Sequence, residues 1–204
     1  MAVMGEESNE GTEYIGLFQD LVSANISHVL EQISNNPNAL TPGEQSQALH
    51  SLDYAFELDS HLVTERVLAL LAQLAPKMER AGHRDEWLPY LKKGISLSVE
   101  QNLTLIEAEL RTHLGFLYQQ RAKYELAIES MQKSVELYES VRQPEGQALV
   151  LSRLAFVLRL QRNFDAAFET VQNAFALLPS NDPRQEHLHF VLGNIALDQG
   201  CLLY

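Results

Sequence analysis

The sequence predicts an all-α chain, a solenoid in which antiparallel helix hairpins stack one on the next. Three observations carry this. Between Leu105 and Pro179 one pattern occurs twice: Leu114, Gly115, Tyr118, Ala127, Met131 and Ser134 return as Leu154, Ala155, Leu158, Ala167, Val171 and Ala174, each 40 positions later. A fixed period of this size marks a stacked repeat array. Within each copy the spacing is helical, because residues three and four apart share one helix face. Between the two helices of a copy lie only short polar turns ending in an aromatic, Arg121-Ala122-Lys123-Tyr124 and Gln161-Arg162-Asn163-Phe164. A connection so short makes the helices antiparallel neighbours.

Taken in order, residues 1–12 are polar and acidic and are expected to be a disordered tail. Apolar residues then recur at helical spacing from Tyr14 to Ile33, and Asn35-Asn36-Pro37-Asn38 ends that helix. Thr41 is the expected N-cap of the next, with Pro42 at its first position, and Ala48, Leu52 and Ala55 follow the second-helix pattern. Residues 13–58 are therefore expected to form a degenerate capping hairpin, and 59–204 the repeats proper, at about 62–101, 102–142, 145–179 and a partial copy at 183–204. In the first of these, Leu71, Leu74, Ala75 and Met78 precede the motif by one period, with Trp87, Leu91 and Gly94 on the second helix. Trp87 stands where the other copies have alanine, so the hairpin must open around it. Pro76 is expected to kink its helix, and Pro89 is tolerable if the helix starts between Asp85 and Leu88. Asn181-Asp182-Pro183 caps a last helix, in which Leu192-Gly193-x-x-Ala196 restarts the motif.

Gly115, Ala127 and Ser134, with Ala155, Ala167 and Ala174 one period on, sit where two helix backbones must approach closely. A larger residue there would overpack the contact at ~1–3 kcal/mol. The spacing resembles the tetratricopeptide repeat, W-x2-L-G-x2-Y…A-x3-F…P. Arg111, Leu114, Gly115, Tyr118, Ala127 and Met131 hold those positions in one copy, and Leu151, Leu154, Ala155, Leu158, Ala167, Val171 and Pro179 in the next. The family's tryptophan is absent from both, and the period exceeds the usual ~34. The extra length falls between hairpins, in the second helix from Tyr124 to about Val141, rather than in a turn. Such longer repeats resemble those of kinesin light chains, G-protein-signalling modulators and bacterial peptide-sensing regulators. The resemblance implies a right-handed superhelix that serves as a binding scaffold.

Composition excludes several functions. The net charge is −12, and no run of basic residues offers the patch that nucleic acid needs. No apolar run reaches membrane-spanning length, the first residues lack the apolar core of a signal peptide, and the single cysteine suits a reducing compartment, so a cytoplasmic protein is expected. No catalytic or nucleotide-binding motif occurs. His187 and His189 are two apart and cannot face one metal from a helix. His113 reads as a packing residue, Cys201 as a small hydrophobe, and Glu125, Glu129 and Glu136 as a solvated face. The sequence thus predicts no enzyme, no cofactor and no metal.

What remains is a surface. In the family it resembles, the first helices line a groove that binds peptides or helices. Carried onto this chain, that face holds Glu109, Thr112, Phe116 and Gln119, then Ser152, Phe156 and Arg159, then His187, Phe190 and Asn194. Phenylalanine occupies two of the three places where the family's carboxylate-gripping members have asparagine, and only Asn194 matches. An apolar groove is expected instead, suited to an amphipathic helix or hydrophobic peptide of a partner protein. The alternative is a peptide- or ligand-sensing regulatory domain of a longer signalling or transcription-regulating protein. A weaker alternative is self-association through the apolar end at Leu202 to Tyr204.

Overall fold

A three-residue turn repeated along the chain sets its geometry. The computed structural model describes residues 6–35, 40–57, 61–81 and 84–200. Among these residues the chain is all-α, with helices α1 (Glu6–Asn35), α2 (Pro42–Glu57), α3 (His61–Ala81), α4 (Arg84–Glu100), α5 (Thr104–Gln120), α6 (Tyr124–Ser140), α7 (Pro144–Leu160), α8 (Phe164–Leu177) and α9 (Gln185–Asp198). Helices α4 to α7 are each 17 residues long and are joined by three residues. The middle residue of every turn from α4 to α8 has a positive φ, at Asn102, Ala122, Arg142 and Arg162. After α5, the Ala122 N–H reaches the Gln119 carbonyl at 3.0 Å and the Lys123 N–H reaches that of Tyr118 at 2.9 Å. Helix-end carbonyls are thereby satisfied and the chain reverses. No glycine occupies these positions, so each non-glycine residue bears a left-handed strain of ~1–2 kcal/mol. The longer period is shared equally by two helices, whereas the sequence places it in the second.

The chain divides into two compact units, Met1–Tyr90 and Leu91–Tyr204. The division falls inside α4. In the first unit α1 packs on α2 and α3, and α2 on α3. Val22, Ile26, Val29 and Ile33 of α1, Ala48, Leu52 and Ala55 of α2, and Leu71, Leu74, Ala75 and Met78 of α3 are buried. Thr41 caps α2 as expected: its Oγ1 accepts from the Glu44 N–H at 3.3 Å, while Glu44 Oε2 accepts from the Thr41 N–H at 2.7 Å. One expectation changes. Helix α1 begins at Glu6, so most of the predicted tail is helical; residues 1–5 lie outside the described residues. Helix α3 continues past Pro76 to Ala81, with the proline on the exposed side, where water can take the carbonyl that its missing N–H leaves free. Trp87 is accommodated in full burial and stacks on Tyr90 at 5.7 Å, and Tyr90 stacks on Phe56 of α2 at 6.2 Å. The Tyr90 hydroxyl donates to Asp53 at 2.7 Å. Burial and that carboxylate push its pKa up to about 12.

In the second unit each helix from α5 to α9 packs on the next, and α5, α7 and α9 also meet in sequence. The repeated residues Leu114, Tyr118, Ala127, Met131, Leu154, Ala155, Ala167, Val171 and Ala174 are buried. A Cβ built on Gly115 would lie 2.6 Å from Met131 Cγ and 3.2 Å from the Ala127 carbonyl oxygen, the close approach that the small residues predict. A Cβ on Gly193 would meet nothing within 4 Å, because α9 buries Leu188, Val191 and Ile195 instead. Another close contact is not evident from the repeat: the Tyr138 ring lies against Gly146 of α7, in the space that a Cβ would need.

Candidate groove on the first helices

Helices α5 and α7 open the hairpins α5–α6 and α7–α8, and α9 follows α8. Their alignment follows from the 20-residue half-repeat, which returns every second helix to the same side. Phe116 and Gln119 of α5, Arg153 and Phe156 of α7, and His187 and Phe190 of α9 line one groove of about 220 Å³. Five of these six are residues that the repeat register placed on the binding face.

Arginines hold two of the rings. The Arg153 guanidinium lies 4.7 Å from the centroid of Phe116, and that of Arg159 lies 4.6 Å from Phe156. A cation over an aromatic face is attracted by the ring quadrupole, most strongly where water is excluded. Arg159 is further fixed by its ion pair with Asp198 at 3.2 Å. Phe190 is the open ring: 62% exposed, with His187 edge-on at 6.2 Å. The groove therefore has an apolar floor with cationic groups beside it, in a chain of net charge −12.

The remaining candidates lie elsewhere. Thr112 is not a groove residue. It is buried between α5 and α6, where its hydroxyl meets Ser134 Oγ at 2.8 Å and the Ala108 carbonyl at 2.9 Å. Glu109 is half-buried toward the start of α5, and desolvation raises its carboxyl pKa against the opposing charge of His113. Ser152 is buried, with Oγ 3.3 Å from His187 Nδ1, and lines a separate cavity of about 120 Å³ with Ala148, Leu178 and Leu188. Asn194 turns its amide back to the Phe190 carbonyl at 2.9 Å. Arg153 is the lining residue that the sequence reading missed. Its position three before Phe156, on the same helix face, was the available signal.

His187 and His189 diverge: His189 contacts Phe175 at 4.8 Å, whereas His187 meets Phe190. Glu125, Glu129 and Glu136 are exposed and His113 is half-buried. Among the described residues no three His, Cys, Asp or Glu side chains gather as metal ligands, and no helix is long and apolar enough to cross a membrane. Cys201 and the apolar end Leu202 to Tyr204 lie outside the described residues.

Comparison with known proteins places this geometry in a context. Residues 106–180 match the family model of the tetratricopeptide repeat. No curated protein matches the chain in sequence. Among solved structures, BtubC (BKLC) from P. vanneervenii superposes with a TM-score of 0.70 at 18% identity, covering 98% of this chain and 85% of that one. The nearly identical TPR-like repeats of a Podosopora anserina protein described as a kinesin light chain give 0.59 at 14% identity, covering 88% and 87%. At such identities the likeness is one of fold.

Proposed function

We propose that this protein is a non-catalytic interaction scaffold, since residues 106–180 match the tetratricopeptide-repeat model. Repeats of this kind generally mediate protein–protein contacts. The groove across α5, α7 and α9 takes a hydrophobic or amphipathic segment of a partner protein, in the cytoplasm. One observation carries the reading: Phe116, Phe156 and Phe190, from α5, α7 and α9, line a single groove.

Phe190→Asp tests it with little structural cost, since the ring is mostly exposed. The variant is expected to melt within ~0.5 kcal/mol of wild type. Yet it is expected to capture the partner at least ~10-fold less well from a lysate of the source cell, the effect of removing one central aromatic anchor. Phe116→Asp/Phe156→Asp, at half-buried positions, is expected to cost ~1–3 kcal/mol as well. Equal capture by wild type and folded Phe190→Asp moves the binding site away from this groove.

A further inference from the structure

We propose that α1 carries a second docking surface, one that takes a basic amphipathic helix of a partner protein. Tyr14, Ile15, Leu17, Phe18 and Leu21 are 69%, 58%, 58%, 45% and 61% exposed. Five large apolar side chains within eight residues form a contiguous patch of the kind that marks an interaction site. Ile15 and Phe18 continue, at three- and four-residue steps, the stripe of Val22, Ile26, Val29 and Ile33 that the first unit buries.

The packing explains why the first part of this stripe is open. Helices α1 and α3 run parallel, because Ser34 bonds Gln73 and Ser23 meets Arg66. In that register α3 begins opposite residues 18–22, so earlier turns of α1 lie past its start. Helix α2 runs antiparallel and supplies one edge contact, Tyr54 on Phe18 at 6.5 Å. Ile15 and Phe18 thus prolong the helix–helix seam beyond the start of α3, while Tyr14, Leu17, Phe18 and Leu21, at i, i+3, i+4 and i+7, form an open apolar stripe beside it. Another helix fits it.

Charge selects the occupant. Helix α1 contains Glu6, Glu7, Glu10, Glu13, Asp20 and Glu31 and neither Lys nor Arg. The nearest cation of α3, Arg66, is engaged by Ser23 and Ser27. A second α1, or an anionic bilayer, would bring like charge to like. A helix with an apolar stripe flanked by Lys or Arg meets complementary potential.

The test uses the full chain and three helical peptides: leucine at heptad positions a and d with lysine elsewhere, the same composition scrambled, and the leucine/glutamate equivalent. Wild type is expected to bind the first, with affinity falling as salt rises, and the other two at least ~10-fold more weakly. Leu17→Gln/Leu21→Gln replaces two exposed side chains with good helix formers, and is expected to leave the far-UV circular dichroism intact while weakening binding by ~10-fold or more. Asp20→Lys is expected to weaken it by a smaller factor that disappears at high salt. Equal binding of the scrambled peptide, or unchanged binding by Leu17→Gln/Leu21→Gln, overturns the proposal. So does a dimer in light scattering that this variant abolishes, which assigns the strip to a second copy. Sedimentation with phosphatidylglycerol vesicles would assign it to a lipid surface instead.

Discussion

Trp87→Ala is expected to lower the unfolding free energy by ~3–5 kcal/mol, the range for deleting a large buried aromatic. The indole is 1% exposed and lies at one end of a ring stack, Trp87–Tyr90–Phe56, that ties α4 to α2 within the first unit. Alanine would leave a cavity and free the Tyr90 ring that presses on it. Trp87→Phe separates packing from polarity. Trp87 Nε1 is buried without a hydrogen-bond partner among the described residues, so the substitution forfeits no hydrogen bond and should cost clearly less. Urea titration followed by far-UV circular dichroism reads both, since this is the chain's single tryptophan and its fluorescence vanishes with it. A loss below ~1 kcal/mol for alanine would mean that the ring is not a packing element.

Two glycines at one motif position should respond with opposite signs. Gly115→Val is expected to destabilise by ~1–3 kcal/mol, because the added carbons enter space held by Met131 and the Ala127 backbone. Backbone cannot swing aside as the end of a long side chain can. Gly193→Ala meets only open space, so the ordinary gain of alanine over glycine inside a helix, ~0.5–1 kcal/mol, should appear undiminished. Paired thermal melts check the contrast. Destabilisation at Gly193 would show that the motif face of α9 is covered.

The two glycines also mark how far sequence carried the fold. A small residue is legible when its spacing repeats, and Gly115, Ala127, Ala155 and Ala167 betrayed both the hairpin and its antiparallel packing. Nothing in sequence separates Gly115 from Gly193, since the difference is whether a second helix covers them. Gly146 passed unnoticed because its constraint is the Tyr138 ring arriving from the preceding helix, a contact with no period of its own. The left-handed turns were hidden for a related reason. Of the four, only Asn102 is of a type that favours a positive φ; Ala122, Arg142 and Arg162 do not announce one, and the regular spacing appears only once the helix ends are known.

Register puts Phe116, Gln119, Phe156, His187 and Phe190 on one face, and these five line one cavity. It failed at Thr112 and Ser152, which share the helix face on paper but carry hydroxyls that find partners deeper in the packing. A buried hydroxyl is stable only with a partner, and sequence does not reveal who that is. Arg153 was missed because scattered arginines read as solvated charge; that it lies over a phenylalanine ring depends on the offset between α5 and α7.

We propose the groove across α5, α7 and α9 as the place where a partner binds. Site-specific photo-crosslinking tests it most directly, with benzoylphenylalanine at position 190 in the groove or at position 129 on the exposed face of α6, and the adducts identified by mass spectrometry. A defined protein adduct is expected from position 190, mapping to one hydrophobic or amphipathic segment, and none of that protein from position 129. Adducts of the same protein from position 129 with none from 190 would contradict it.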